Sequence, residues 1–236
     1  MLIVALDSTA VTASAAVVEI NEGRVSTFGL FTVKNKLTHS EILLPLLENA
    51  LTQYGADIKD IDLFAVSAGP GSFTGVRIGA ATVKGLAFAE NKPCVSVSAL
   101  EALAKNIGRG YVCAVMDARR DQFYTALFKD GERITEDEAL SAQEIYERIK
   151  NFDDVTVCGD GTEKFISLCP NAGNLFPSSM ACRDQNALSV AVCGYEKYIK
   201  DEAITPKELK PIYLRMPQAE REKLEREKAK KEEENK

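Results

Sequence analysis

At 236 residues the chain is long enough for two lobes or one large domain, and 45% hydrophobic with 27% charged residues is an ordinary globular composition. A net charge of −6 weighs against a free-standing nucleic-acid binder, which would carry a basic surface. No apolar run approaches the roughly 20 residues that span a bilayer. Met1–Asp7 lacks the positive stretch of a signal peptide, so a cytoplasmic protein without a membrane contact is expected.

Leu2–Leu6 is a continuous apolar run ending at Asp7, which reads as a buried strand. Ser14–Ile20 and Arg24–Val33 read as two further strands around an Asn21-Glu-Gly23 turn. In the second of these, Val25, Thr27, Gly29, Phe31 and Val33 alternate onto one face. Ile42, Leu43, Leu46, Leu47, Ala50, Leu51 and Tyr54 have helical spacing, with Ser40 as the expected N-cap and Gly55 as the C-cap. A strand over Ile61–Val66 leads through Gly69-Pro-Gly71 into a helix over Phe73–Ala89, and Cys94–Val97 reads as the next strand.

The second half has a similar element order. Ala99–Asn106 is a short helix, Tyr111–Met116 and Phe123–Phe128 are strands, and Ser141–Lys150 is a helix opened by a Ser141/Glu144 capping box. Val155–Cys158 is a strand, Gly159-Asp-Gly161 turns into Thr162–Leu168, and Asn186–Lys200 is a longer helix. The expectation is an α/β fold of two lobes, βββαβα repeated twice, of the actin/hexokinase/Hsp70 (ASKHA), ribonuclease H-like kind. Lobe one is residues 1–100, lobe two 101–200, with 201–216 returning to lobe one. Residues 217–236 form a charged, solvated tail, whose seven basic and seven acidic residues from Gln218 onward carry no expected chemistry.

Four stretches invite a chemical reading. Gly71, Gly75 and Gly79 place small residues on one helix stripe, either to admit a phosphate at the helix N-terminus or to admit another backbone closely. Asp7-Ser8-Thr9 lies where this fold places its first phosphate loop, and otherwise reads as a self-capped turn. The matching turn of lobe two, Asp117-Ala118-Arg119-Arg120-Asp121, lacks the glycine that lets backbone amides approach a phosphate. Gly159-Asp-Gly161 either lines a nucleotide or is a strand–helix turn. The sole histidine, His39, has Asn35 and not a second histidine one helical turn earlier, a poor set of ligands for zinc or iron. No G-x-S-x-G occurs, so peptidase chemistry has no support, and the six cysteines show no C-x-x-C pair and read as core thiols.

Together, Ile3-Val-Ala-Leu-Asp-Ser-Thr9, His39-Ser-Glu-Ile-Leu-Leu-Pro45, Gly69-Pro-Gly-Ser-Phe-Thr-Gly-Val-Arg-Ile-Gly79, Asp117-Ala-Arg119 and Pro211-Ile-Tyr-Leu-Arg215 resemble the bacterial TsaB (YeaZ) family. The resemblance covers about residues 1–216. It implies a non-catalytic scaffold for the paralogous threonylcarbamoyltransferase TsaD, acting with the ATPase TsaE to form N6-threonylcarbamoyladenosine at position 37 of tRNAs reading ANN codons. It further implies no cofactor, at most weak ATP binding, tRNA contact through the complex, and self-pairing as a homodimer when alone. The implied partner interface is on the first two helices: Leu43, Leu46, Leu47 and Leu51, then Gly71, Phe73, Thr74, Gly75, Arg77, Ile78, Gly79 and Val83. A vestigial nucleotide site would involve Asp7, Ser8, Thr9, Asp117, Arg119, Gly159 and Gly161. The alternative is a nucleotide-binding enzyme of this fold with weak ATPase activity of its own. Direct tRNA contact through Arg119 and Arg120, or through the lysines of the tail, is a weaker third reading.

Overall fold

The structure, a computed structural model, describes residues 1–35 and 37–215; the charged-tail expectation lies outside the described residues. The first apolar run, β1 (Leu2–Asp7), becomes the centre of a five-stranded sheet. On one side it pairs antiparallel with β2 (Thr12–Asn21), which pairs antiparallel with β3 (Arg24–Lys34). On the other side it pairs parallel with β4 (Leu63–Gly69), and β4 pairs parallel with β5 (Cys94–Ser98). The sheet order is therefore 3-2-1-4-5.

Helices cover both faces, which explains the unbroken apolar runs of the central strands. Val4, Leu6, Phe64 and Val66 face α1 (His39–Tyr54) and α2 (Phe73–Ala89). Ile3, Ala5, Leu63 and Ala65 face the opposite way, toward α7 (Ala187–Tyr198). Burying each such large side chain contributes about 1.5–3 kcal/mol. Thr38, and not Ser40, caps α1: its backbone N–H and hydroxyl both donate to Glu41 Oε2 at 2.9 Å. Gly55 closes the same helix in the left-handed region at φ 81°, as expected. The expected face of β3 holds from Thr27 to Val33, with Phe31 and Val33 packed on the core. A register shift opposite Glu19 and Ile20 breaks the alternation before it and leaves Val25 exposed.

Lobe two repeats the plan. Its centre is β6 (Tyr111–Asp117), flanked by antiparallel β7 (Gln122–Lys129) and by parallel β10 (Val155–Cys158). Three short strands complete it: β8 (Glu132–Arg133) and β9 (Glu138–Ser141) pair with β7, and β11 (Leu175–Pro177) pairs with β10. One face packs on α4 (Ala142–Ile149) and α5 (Thr162–Ser167), the other on α3 (Ala99–Lys105). A one-turn α6 (Met180–Arg183) precedes α7.

The lobe boundary at residue 200 needs correction. Helix α7 covers the first sheet, because Ala187, Val190, Ala191 and Cys193 pack against Ile3, Ala5, Val95 and Val97. Gly194 brings the helix so close that a Cβ there would lie 2.7 Å from Ala65 Cβ. The lobes are joined where α3 and α7 meet, with Lys105 bonded to Glu196 at 2.8 Å. Lys34 on β3 also pairs with Asp184 ahead of α7 at 2.7 Å. The C-terminal stretch does return to lobe one: Ile204 bridges Cys94, and Leu209 is 2% exposed within the first core. All six cysteines are free and five are buried; burial pushes the Cys94 thiol up to about 11 and that of Cys113 to about 12.

Candidate functional site

Between the lobes lies a cleft of about 600 Å³, walled by the turns after β1 and β6, the start of α2, and residues 212–215. Thr9, Asp117 and Arg119, three residues expected at a nucleotide site, line it together. His39, Phe73, Thr74, Asp160, Tyr213 and Arg215 line it as well.

The first turn is closed on itself. Asp7 is fully buried, and its Oδ1 accepts both the Thr9 N–H at 2.8 Å and the Thr9 hydroxyl at 2.7 Å. Burial raises the Asp7 carboxyl above its ordinary range, against the lowering effect of those Thr9 hydrogen bonds. The Ser8 hydroxyl donates to the Gly75 carbonyl at 2.9 Å, and Ser72 N–H donates to the Thr9 carbonyl at 2.6 Å. Asp7 and Ser8 thus lie beneath the cleft, and only Thr9 of the three reaches it.

The glycine stripe faces this turn. A Cβ at Gly75 would overlap the Ser8 carbonyl oxygen, one at Gly79 would lie 2.7 Å from Ser8 Oγ, and one at Gly71 would overlap the Thr9 carbonyl oxygen. Close backbone approach is indeed what the stripe provides, but the approaching backbone is the chain's own. Gly75 and Gly79 are accordingly inward, and the expectation that they meet a partner is corrected. Leu43, Leu46, Leu47 and Val83, also expected at an interface, are core residues for the same reason: they lie on the sheet-facing stripes of α1 and α2. Leu51 and Ile78 are half-buried against that core, and Phe73 is half-buried while Thr74 and Arg77 are exposed.

In lobe two, Gly159 and Gly161 serve packing. A Cβ at Gly159 would overlap the Val115 carbonyl oxygen, and one at Gly161 would lie 2.9 Å from Phe123 Cδ1. Their turn presents Asp160, which accepts the Asp117 N–H at 3.2 Å. Burial, reinforced by the Asp117 and Asp184 carboxylates, pushes Asp160 up to about 6, against the lowering by the Asp117 N–H and by Lys34. Asp117 Oδ1 accepts the Arg119 N–H at 2.8 Å and Lys164 Nζ at 3.3 Å. Arg119, Arg120 and Asp121 follow with φ of 62°, 55° and 54°. Left-handed backbone costs a non-glycine residue roughly 1–2 kcal/mol, so this turn is held by its surroundings.

His39 Nε2 lies 2.6 Å from the Ala10 carbonyl oxygen, which can only accept, so that nitrogen carries the proton. Asn35 Oδ1 accepts the Leu37 N–H at 2.9 Å. The two residues thus turn to different backbone partners. Among the described residues no group of three His, Cys, Asp or Glu side chains converges as a metal site.

Asp160 lies within the Gly159-Asp-Gly161 turn already marked in the sequence, whereas two contributors to the site, Tyr213 and Arg215, have no signal in local spacing. Pro211–Arg215 stands out only as an extended motif, and nothing in its spacing shows that Arg215 Nη1 reaches across to donate to the Ala118 carbonyl at 2.8 Å.

Comparisons with known proteins identify the family. Residues 33–168 match the family model described as TsaD, tRNA N6-adenosine threonylcarbamoyltransferase. The chain is 33% identical over 195 residues to the tRNA threonylcarbamoyladenosine biosynthesis protein TsaB of Bacillus subtilis, covering 78% of this chain and 83% of that one. It is 31% identical to TsaB of Escherichia coli, covering 75% and 80%. The solved structure of YeaZ from Pseudomonas aeruginosa superposes with a TM-score of 0.73 at 27% identity, covering 90% of this chain and 99% of that one. By sequence over most of its length, and by a fold shared almost end to end with YeaZ, this chain belongs to the TsaB family of tRNA threonylcarbamoyladenosine biosynthesis proteins.

Proposed function

We propose that the chain is the non-catalytic scaffold on which a TsaD threonylcarbamoyltransferase assembles to modify tRNA at position 37, with TsaE as the third member. The observation that carries this reading is the closed first-lobe site. Asp7, Ser8, Thr9 and His39 each bond to groups of the protein itself, and the atoms that Asp7 and His39 leave unpartnered, Oδ2 and Nδ1, are buried away from solvent. What the first two helices offer outward is a surface. On α2, Thr74, Arg77, Ala81, Lys84, Gly85 and Phe88 are exposed at helical spacing; on α1, Glu41, Leu44, Pro45, Glu48 and Thr52 are. Phe88 and Leu44 are 64% and 47% exposed, and apolar side chains placed so far out on neighbouring helices suit a docking face. The same face would serve self-pairing when the partner is absent.

Reconstitution tests the reading. Modification of tRNA by TsaD, TsaE and threonylcarbamoyl-adenylate should require this chain, and should survive Thr9→Ala and His39→Gln in it. Loss of turnover with an intact complex would show that the chain contributes catalytic groups.

One observation favours a second reading, a nucleotide in the interlobe cleft: its volume and the presence there of Thr9, Asp117 and Arg119. Calorimetry with ATP and Mg²⁺ decides. The scaffold reading predicts binding no tighter than millimolar and no phosphate release by the isolated chain.

A further inference from the structure

We propose that the C-terminal strap, Pro211–Arg215, is a latch that couples the outer face of α2 to the lobe-two turn on the far side of the cleft. The part that concerns a docked partner rests on the scaffold reading; the latch within the chain does not.

The strap is anchored on lobe one. Ile212 N–H donates to the Ala68 carbonyl at 2.7 Å, at the end of β4. The Ile212 carbonyl sits over Gly69, whose φ is 121° and where any Cβ would overlap that oxygen. The next residue turns outward to α2. The Tyr213 ring lies 4.9 Å from that of Phe73, and its hydroxyl accepts Arg77 Nε–H at 2.8 Å. The Arg77 guanidinium lies over Phe73, 3.7 Å from the ring centroid. Two residues later, Arg215 crosses to lobe two and donates to the Ala118 carbonyl at 2.8 Å. An unbroken path of contacts therefore runs from the exposed guanidinium of Arg77, through Tyr213 and the strap, to Ala118.

The far end of that path is a strained turn, closed by backbone bonds from Ala118 N–H to the Gln122 carbonyl at 2.9 Å and from Gln122 N–H to the Arg119 carbonyl at 3.2 Å. Three successive non-glycine residues, Arg119 to Asp121, have left-handed backbone, a state that persists only where neighbours impose it. The Arg119 N–H bond to Asp117 and the Lys164 pairs with Asp117 and Asp121 come from lobe two itself. Arg215 is the support that comes from across the cleft. A partner that repositions Phe73 or Arg77 shifts Tyr213, and with it the support of the turn; by linkage, whatever fills the cleft at that turn alters docking in return.

Hydrogen exchange on the full chain, read by mass spectrometry, tests the latch. Arg215→Ala should speed exchange of residues 118–122 by about tenfold while β1 and α1 stay unchanged. Arg215→Lys, which keeps a cationic donor for the Ala118 carbonyl, should restore most of the protection. Tyr213→Ala removes a ring and hydroxyl that contact Phe73 and Arg77 on α2, and should still speed exchange of the turn severalfold. An unaltered turn in Arg215→Ala, or a rise spread evenly over both lobes, would overturn the latch. Adding the TsaD partner tests the coupling. Protection at α2 with a changed turn in the natural chain, but not in Arg215→Ala, supports it. Protection at α2 with an unchanged turn overturns it. An unprotected α2 instead counts against the docking reading, and the latch is then decided by the variants alone.

Discussion

Two glycines one face apart on α2 have opposite roles. Gly75 meets the Ser8 carbonyl at once, whereas a Cβ at Gly85 has nothing within 4 Å. Gly75→Leu must push the helix off the Ser8 turn, and overpacking of that kind costs about 1–3 kcal/mol. For a chain of this size the melting temperature should fall by roughly 3–10 °C. Gly85→Ala removes an exposed helical glycine and should stabilise by about 0.5–1 kcal/mol. Thermal unfolding of both variants checks the pair, and equal effects of one sign would contradict the placement of the stripe.

Asp160 supplies a residue-scale test of the cleft. Its carboxyl is pushed from an ordinary 3.8 up to about 6, first by burial. Between about pH 4 and 6 the folded protein therefore holds a proton that the unfolded chain has released. The stability tied to that proton is complete below about pH 4 and is lost as pH rises through about 6. Asp160→Asn keeps a carbonyl oxygen for the Asp117 N–H and cannot ionise. Urea unfolding should find it more stable than the natural chain at pH 7.5, by up to about 3 kcal/mol. At pH 4 the difference should shrink toward zero. A difference independent of pH would mean that the carboxylate is not strained in the folded state.

At the scale of elements, the central strands and long helices were legible because their periodicity is strong. Phe73–Ala89 is read from sequence with the bounds it has in the structure, since a turn of Gly and Pro precedes it and apolar spacing runs through it. The short strands β8, β9 and β11 were not legible: two to four residues such as Glu-Ala-Leu-Ser carry no alternation, and their pairing with the sheet decides them. The Thr38 cap was legible in principle, since Thr38 and Glu41 have capping-box spacing, and Ser40 merely lies nearer the apolar run. Which side of α1 and α2 faces out was not legible from spacing, because both faces of each helix carry apolar residues. Leu44→Asp and Phe88→Asp test that assignment. Both should leave the melting temperature within about 2 °C, as exposed substitutions usually do. They should also weaken association with TsaD by at least tenfold, measured by calorimetry. Leu46→Asp, in contrast, should unfold the protein, since Leu46 is 7% exposed within the core.

At the scale of the molecule, the duplicated plan was legible and its wiring was not. The order 3-2-1-4-5 of the first sheet recurs in the second as β8-β7-β6-β10-β11. A strand-by-strand reading has no means to show that α7, which follows the last strands of lobe two, lies on the first sheet. Small residues decide this: Ala187, Ala191 and Gly194 let α7 settle onto Ala5 and Ala65, and only the assembled sheet presents that flat surface. The cleft likewise comes from both lobes and the returning strap, so none of its walls is complete in any one stretch of sequence.

The central claim is that this chain acts by binding its transferase paralogue through the outer faces of α1 and α2. Light scattering on size-exclusion chromatography of the chain with and without TsaD, at micromolar concentration, tests it most directly. The account predicts a stable complex with the natural chain, and separate species when Phe88→Asp, still folded, replaces it. Separate species with the natural chain, or a complex indifferent to Phe88→Asp and Leu44→Asp together, would contradict it.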